Sequence, residues 1–399
     1  MILQSLTLER EALLRRNIRL AVILRICLFA SAISVPIATK LSEENGISQS
    51  VWLLIQVVFN VMMLLVDLPS GHFADRVSRR MALLVGGIFL ISGACFYGLS
   101  TGFWSMILAE VVLAIGYAFC AGADHALIYE SLLELGEERE YERLVPKLAS
   151  REILAAAAFA LIGGTIGGWS LRLPYLLEAL IFGSFIVAVF LVVEPRHSGL
   201  KKKSFLQALK SARVLSHHPK RLDLQLALSA ICFAGFQTML WYYQALFNGD
   251  GISVAWNGLI FLSFHLVAAA AARTSSRFEQ LAGGYPRVLY IPLGIVLLVY
   301  LLIGLSPIWV VPVLALLNVA RGLNSSLLTA ELNRNIPTDV RATLLSLKSF
   351  VNRGVYVLLL GVGSVASSGL ATNSALLVLA LVILLAAVTV GTLLHRKTV

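Results

Sequence analysis

Charge is what this sequence has least of. Only 14% of its 399 residues are Asp, Glu, Lys or Arg, whereas 58% are hydrophobic and mean hydropathy is +0.84. A soluble domain devotes roughly 25% of its residues to charge, because its surface must face water. This chain cannot cover such a surface. Cysteine is scarce as well. Cys27, Cys95, Cys120 and Cys232 are scattered through apolar runs without a C-x-x-C pair, which argues against a disulfide framework and against a metal site. They read as small core hydrophobes. Also missing are a Walker loop, G-x-S-x-G, H-E-x-x-H and the long polar loops that would house such chemistry. Enzymatic and ATP-driven activity are thereby disfavoured. No catalytic residue, metal or cofactor is expected.

What is present in quantity is apolar runs of spanning length. They fall at about 20–39, 50–67, 81–100, 103–128, 152–171, 174–193, 224–247, 253–272, 288–305, 307–330, 343–366 and 372–394. About 20 apolar residues cross a hydrocarbon core as a helix. Barrel strands would alternate apolar and polar residues, and stretches such as Leu376 to Leu394 do not. The expected fold is an all-α membrane protein with 12 transmembrane helices. Arg10, Arg15, Arg16 and Arg19 precede the first run in the manner of a signal peptide. Its spanning length and the spans that follow favour an uncleaved helix.

The net charge of +10 would suggest nucleic acid in a soluble protein. Its distribution here points to topology instead, and no nucleic-acid partner is expected. The odd-numbered connections carry almost no cations beyond Lys40 and Arg172. The even-numbered ones carry Arg76, Arg79 and Arg80; Arg139, Arg143 and Lys147; a run from Arg196 to Arg221; Arg273, Arg277 and Arg287; then Arg334 and Arg341. The positive-inside rule places both termini and the even loops in the cytoplasm, and hence the chain in a plasma (bacterial inner) membrane. The longest polar interval, 194–222, holds Pro195, Gly199 and Lys201 to Lys203. It reads as a cytoplasmic linker touching anionic lipid headgroups, between an N-terminal six-helix bundle at 1–193 and a C-terminal one at 223–399. A weak repeat fits this division: Gly122-Ala-Asp124-His-Ala-Leu127-Ile128 aligns with Gly322-Leu-Asn324-Ser-Ser-Leu327-Leu328. Two related halves are what alternating access requires.

The loop after the second run reads Asp67-Leu-Pro69-Ser-Gly71-His-Phe-Ala74-Asp75-Arg76-Val-Ser78-Arg79-Arg80. It resembles the G-x-x-x-D-R-x-G-R-R loop of the major facilitator superfamily, with Ser78 in place of the second glycine. Segments 121–132 and 333–346 resemble the fourth-helix region and the tenth-to-eleventh loop of bacterial members with a P-T-G-x-x-A-D loop, whereas 274–287 lacks the D-R core. The resemblance implies two pseudo-symmetric six-helix bundles and a conformational latch at Gly71, Asp75, Arg76, Arg79, Arg80 and Glu130. Gly71 would let helix ends approach, Asp75 would meet backbone N–H groups at a helix end, and Arg76 and Arg79 would pair with acids. Residues 159–168 are similar to the G-P-x-x-G-G of exporters, with Gly164 where proline is usual. Gly163/Gly167 and Gly164/Gly168 also have the spacing of close helix packing.

Ionisable groups inside a span cost about 2.5–3.5 kcal/mol each, so each needs a reason. Arg25, Glu110, Asp124 and Arg321, with Gln237 and Asn324, are candidates to line a substrate and proton cavity. Asp124 and Glu110 are the candidate proton carriers, and His125 is a further possibility. The near balance of acids and cations suggests mutual pairing. Glu178 and Arg353 are expected to snorkel, and Trp241, Tyr242 and Tyr243 to anchor in an aromatic belt. The expected function is secondary transport of a small-molecule substrate by a monomer, with proton-coupled export ahead of proton-coupled uptake. A non-transporting receptor or scaffold is the rival of another class.

Overall fold

The computed structural model describes residues 2–196, 221–306, 309–335 and 338–396. Most of the expected linker, 197–220, and Pro337 lie outside the described residues, as do the side chains of residues 341–346. Among the described residues there is helix and no strand. Twelve helices are long and apolar enough to cross a membrane, one for each apolar run of the sequence.

The chain folds as two compact units. The first comprises Met1–Gly46, Val58–Lys201 and Val254–Phe261; the second comprises Ile47–Val57, Lys202–Ser253 and Leu262–Val399. In chain order the helices are α1 (Ile2–Leu28), α2 (Ala38–Glu44), α3 (Gln49–Arg76), α4 (Arg79–Gly98), α5 (Phe103–Cys120), α6 (Ala123–Glu134), α7 (Glu140–Gly167) and α8 (Leu173–Phe190). There follow α9 (Leu222–Leu240), α10 (Tyr243–Gly249), α11 (Val254–Leu281), α12 (Tyr290–Leu305), α13 (Val310–Asn335), α14 (Thr338–Gly369) and α15 (Thr372–Arg396). Helices α3 and α11 each begin in one unit and end in the other.

Three runs that read as continuous are broken, one of them at Trp241 and Tyr242 between α9 and α10. Between α1 and α2 lie two 3-10 turns, Ala30–Ala32 and Val35–Ile37, the second opened by Pro36, whose ring removes a backbone donor and sets φ. Between α5 and α6 the chain turns at Gly122, which has φ +80°, a conformation glycine adopts without steric cost. Gly322, its counterpart in the repeat, lies inside the unbroken α13. The repeat is therefore one of position and not of backbone shape.

In the first unit α4 packs along α5 and α8. A methyl group at Gly86 would strike the Gly116 carbonyl and Cys120, and one at Gly93 would strike Leu113; small residues let these backbones approach. In the second unit α9 is the inner helix, packed on α13, α14 and α15. Leucine and valine crowd the outward faces, as expected where lipid is the solvent. Trp104, Trp169, Trp256 and Trp309 are exposed near the cation-poor helix ends, where amphipathic rings suit an interface. The expected belt residues behave otherwise: Trp241, Tyr242 and Tyr243 are 9%, 0% and 4% exposed. Trp241 donates its indole N–H to Tyr356 at 2.7 Å and meets the Trp52 ring edge-on at 5.4 Å.

Candidate functional site

The loop signature folds around Arg79, which opens α4 and is 5% exposed. Its Nη1 donates to Asp75 on the last turn of α3, and its Nη2 donates to Glu130 Oε1 on α6 at 3.0 Å. One guanidinium thus joins three helices, the geometry in which arginine's fixed fork is most effective. The amides at the start of α4 are met by Glu194 rather than by Asp75. Glu194 Oε1 accepts from Arg79 N at 2.7 Å, and its Oε2 accepts from Arg80 N at 3.0 Å and from the Ser78 hydroxyl at 2.7 Å. Ser78 caps Met81 N at 3.1 Å. Three amides left over by helix geometry are satisfied, and the acid lies at the positive end of the helix dipole. Arg80 turns away to the Val189 and Phe190 carbonyls, closing the end of α8. Arg76 is exposed and makes no ion pair among the described residues. Gly71 has no heavy atom within 4 Å of where a Cβ would stand, so the close approach expected there is not made.

The segment carrying Glu194 is tied to α1 as well. Asn17 donates to the Val193 carbonyl at 2.7 Å and accepts from Val193 N at 3.0 Å. Arg16 reaches the Leu191 carbonyl at 2.7 Å, and Arg10 pairs with Glu134 at 2.9 Å while donating to the Glu194 carbonyl at 2.8 Å.

Deeper in the same unit Arg25 on α1 lies between two acids. Its Nη1 is 2.5 Å from Asp124 Oδ2 on α6, and its Nε is 2.5 Å from Glu152 Oε1 on α7. Nη1 also donates to His125 Nε2 at 2.7 Å, which leaves Nδ1 to donate to the Tyr141 hydroxyl at 3.2 Å. Burial pushes the Tyr141 phenol above its usual range, so it stays a neutral partner. Asn324, the repeat's counterpart of Asp124, donates to the Ser229 carbonyl on α9 at 3.0 Å. In each unit this position ties its helix to the first membrane-crossing helix of that unit.

Two more acids share a cage of tyrosines. Glu110 on α5 and Glu178 on α8 stand with Tyr97, Tyr117 and Tyr175; the Tyr97 and Tyr175 rings stack at 4.8 Å. Glu178 is 1% exposed, and among the described residues neither of its carboxylate oxygens has a hydrogen-bond partner at bonding geometry, although Ser34 lies beside it. The snorkelling expected for Glu178 does not occur: five residues into α8, it faces α4, α5 and the turn after α1. In the second unit Arg321 is partly buried on the face of α13 that also carries Asn318 and Asn324. Gln237 is partly buried on α9 and takes no part in these clusters.

The sequence model of the Major Facilitator Superfamily matches residues 20–359. The chain belongs to the Major Facilitator Superfamily. Within it, the chain is 23% identical over 313 residues to an uncharacterized transporter of this type, YxaM of Bacillus subtilis (strain 168), covering 75% of this chain and 76% of that one. It is 25% identical over 215 residues to the lysophospholipid transporter LplT of Photorhabdus laumondii, covering 54% of this chain and 47% of that one. Among solved structures, the nucleoside transporter NupG has a TM-score of 0.74 at 12% identity over 95% of this chain and 98% of that one. The D-xylose-proton symporter has a TM-score of 0.72 at 15% identity over 94% and 96%. At such identities the solved structures share the superfamily's fold.

The structure adds Glu152 and Glu194 to the charged groups singled out in the sequence. Glu152 opens the fifth apolar run directly after Arg151, where it reads as a boundary residue. Glu194 stands just past the sixth run, in what reads as linker.

Proposed function

We propose that this superfamily member is a secondary transporter that exports a small organic solute in exchange for protons, as a monomer in a bacterial inner membrane with both termini cytoplasmic. The observation that carries the coupling is the cage around Glu178. It is an acid sealed from water, with unpartnered oxygens, beside a second acid, Glu110. Carboxyls withdrawn from water and set near each other are the groups whose protonation changes with their surroundings. Asp124, the other candidate carrier, is already committed to Arg25, which suits it to holding α1 and α6 together. The direction is supported by the glycines of α7. Gly163 lies against the Ile33 carbonyl and Gly164 against Gly258, so close that a methyl at either would overlap backbone. This is the run that is similar to the exporters' fifth helix. Loop cations support the orientation, and Arg79 with Asp75 and Glu130 supports a latch that forms in one state and parts in another.

The test starts from compounds that raise the melting temperature of purified protein, since ligands that bind the folded state stabilise it; a lysophospholipid belongs in the panel. Inverted vesicles then receive these compounds under a proton gradient. Proton antiport accumulates the compound and dissipates the gradient, and Glu178→Gln and Glu110→Gln bind but leave the gradient intact. Accumulation confined to right-side-out vesicles makes the protein an importer. Accumulation that persists without a gradient removes proton coupling.

A further inference from the structure

Arg25, Lys348, Arg353 and Arg321 are cations of the membrane spans, and the first three are answered. Arg25 holds two carboxylates, Lys348 donates to the Thr329 hydroxyl at 3.1 Å, and Arg353 has partners of its own. Arg321 differs. Among the described residues it donates no hydrogen bond and joins no ion pair. Its guanidinium carries five N–H donors and keeps its charge in any protein environment.

Among the described residues no acid of the same unit stands ready to pair with it. The acids of the second unit are Asp223, Asp250, Glu279, Glu331 and Asp339. Asp223 is bound by Arg221 at 2.7 Å, and Arg334 is bound by Glu279 and Glu331. Glu331 is ten residues further along α13, about 15 Å at 1.5 Å per residue. Asp250 is exposed after α10, and Asp339's side chain lies outside the described residues.

Arg321 also does not face lipid. On α13 its flanking face is made by Leu314, Leu317, Asn318, Asn324 and Leu328, all buried. The exposed Pro312 and Leu316 mark the opposite side. Ser325, one turn on and on the Arg321 face, is exposed. The Asn324 Oδ1 on the same face of α13 is buried without a hydrogen-bond partner among the described residues. Tyr243 faces Arg321 and packs its ring edge-on against Phe264 at 5.5 Å, and Asn318 Nδ2 lies 3.4 Å from the Tyr243 hydroxyl. The surroundings are thus a guanidinium, a phenol and an amide on an aromatic wall.

A charge inside a span is costly and marks a binding path when no internal partner answers it. We propose that Arg321 is the anion-recognition residue of the second unit, and that the transported solute carries an oxyanion, a carboxylate or a phosphate, on an apolar or aromatic body. The guanidinium takes the oxyanion through paired N–H bonds, Tyr243 and Asn318 offer further polar contacts, and Phe264 takes part of the apolar body. This deepens the transporter reading and rests on it for the word "transported"; the binding site itself does not.

The experiment uses the whole purified protein at constant ionic strength with matched probes: phenylacetate against phenylacetamide, and hexyl phosphate against hexanol. Melting temperature is read for the native protein, Arg321→Met, Arg321→Gln and Arg321→Lys. Both anions are expected to stabilise the native protein and their neutral partners not. Arg321→Met and Arg321→Gln should weaken apparent anion affinity tenfold or more, and Arg321→Lys less. Without probe, Arg321→Met should melt no lower than the native protein, because among the described residues it leaves no carboxylate without its partner. Stabilisation by neither anion, equal stabilisation by neutral and anionic probes, or unchanged anion binding in Arg321→Met each overturns the site. If anions bind through Arg321 but none crosses proteoliposomes, the site stands and the transporter reading falls. If neutral solutes cross while anions neither bind nor cross, the site falls and the transporter reading stands.

Discussion

Charged residues inside this chain differ by what would be left behind on their removal. Arg25→Met strands Asp124 and Glu152 in the first unit, and breaking a buried pair costs about 3–5 kcal/mol. A large fall in melting temperature is expected, in contrast with Arg321→Met, so the two variants side by side separate a structural cation from a binding one. Glu194→Ala uncovers the Arg79 and Arg80 amides. A lost helix cap costs about 1 kcal/mol, again read as a melting shift. Asp75→Asn weakens one arm of the Arg79 bridge and leaves the Glu130 arm. The protein should express and melt close to native while turnover in proteoliposomes falls; native turnover would remove the latch role. Neither Arg76 nor Gly71 is held by that bridge, and substitution of either should matter less than Asp75→Asn.

At the level of helices, glycine decides where backbones touch. Gly163→Ala drives a methyl into the Ile33 carbonyl, whereas Gly183→Ala on α8 meets nothing within 4 Å. The first should lower both melting temperature and transport and the second should leave both unchanged, although each adds the same methyl group. Existence and order of the helices were legible in the sequence because each apolar run is long and one of its flanks is charged. The breaks were not. Hydropathy is blind to the turns at Ala30–Ala32 and Val35–Ile37 and to the left-handed Gly122, since these residues are as apolar or small as their neighbours. The belt expected at Trp241 to Tyr243 failed for a related reason. An aromatic near a run's end reads alike whether it anchors in headgroups or, as here, fills a helix junction against Tyr356 and Trp52. The candidate site was legible as a set of residue types, Arg25, Asp124, Glu110 and Arg321, but not as pairings. Partners such as Glu152 come from more than a hundred residues away, and no local pattern records them.

For the whole molecule, the loop charges make orientation the first matter to measure. Thr101→Cys and Glu138→Cys place thiols on exposed positions after α4 and α6. Of the native cysteines, Cys27, Cys120 and Cys232 are buried and Cys95 is half-buried, which keeps background low. On intact cells a membrane-impermeant maleimide should label Thr101→Cys and spare Glu138→Cys; the reverse would invert the topology. The knot that joins Asn17, Arg16 and Arg10 to residues 191–194 sets a schedule for biogenesis. The first helix is synthesised with its polar groups waiting for a segment that leaves the ribosome some 175 residues later. Five intervening spans must therefore enter the membrane before these bonds can form. Nascent chains stalled short of residue 191 should leave α1 open to protease, and chains stalled well beyond residue 196 should not.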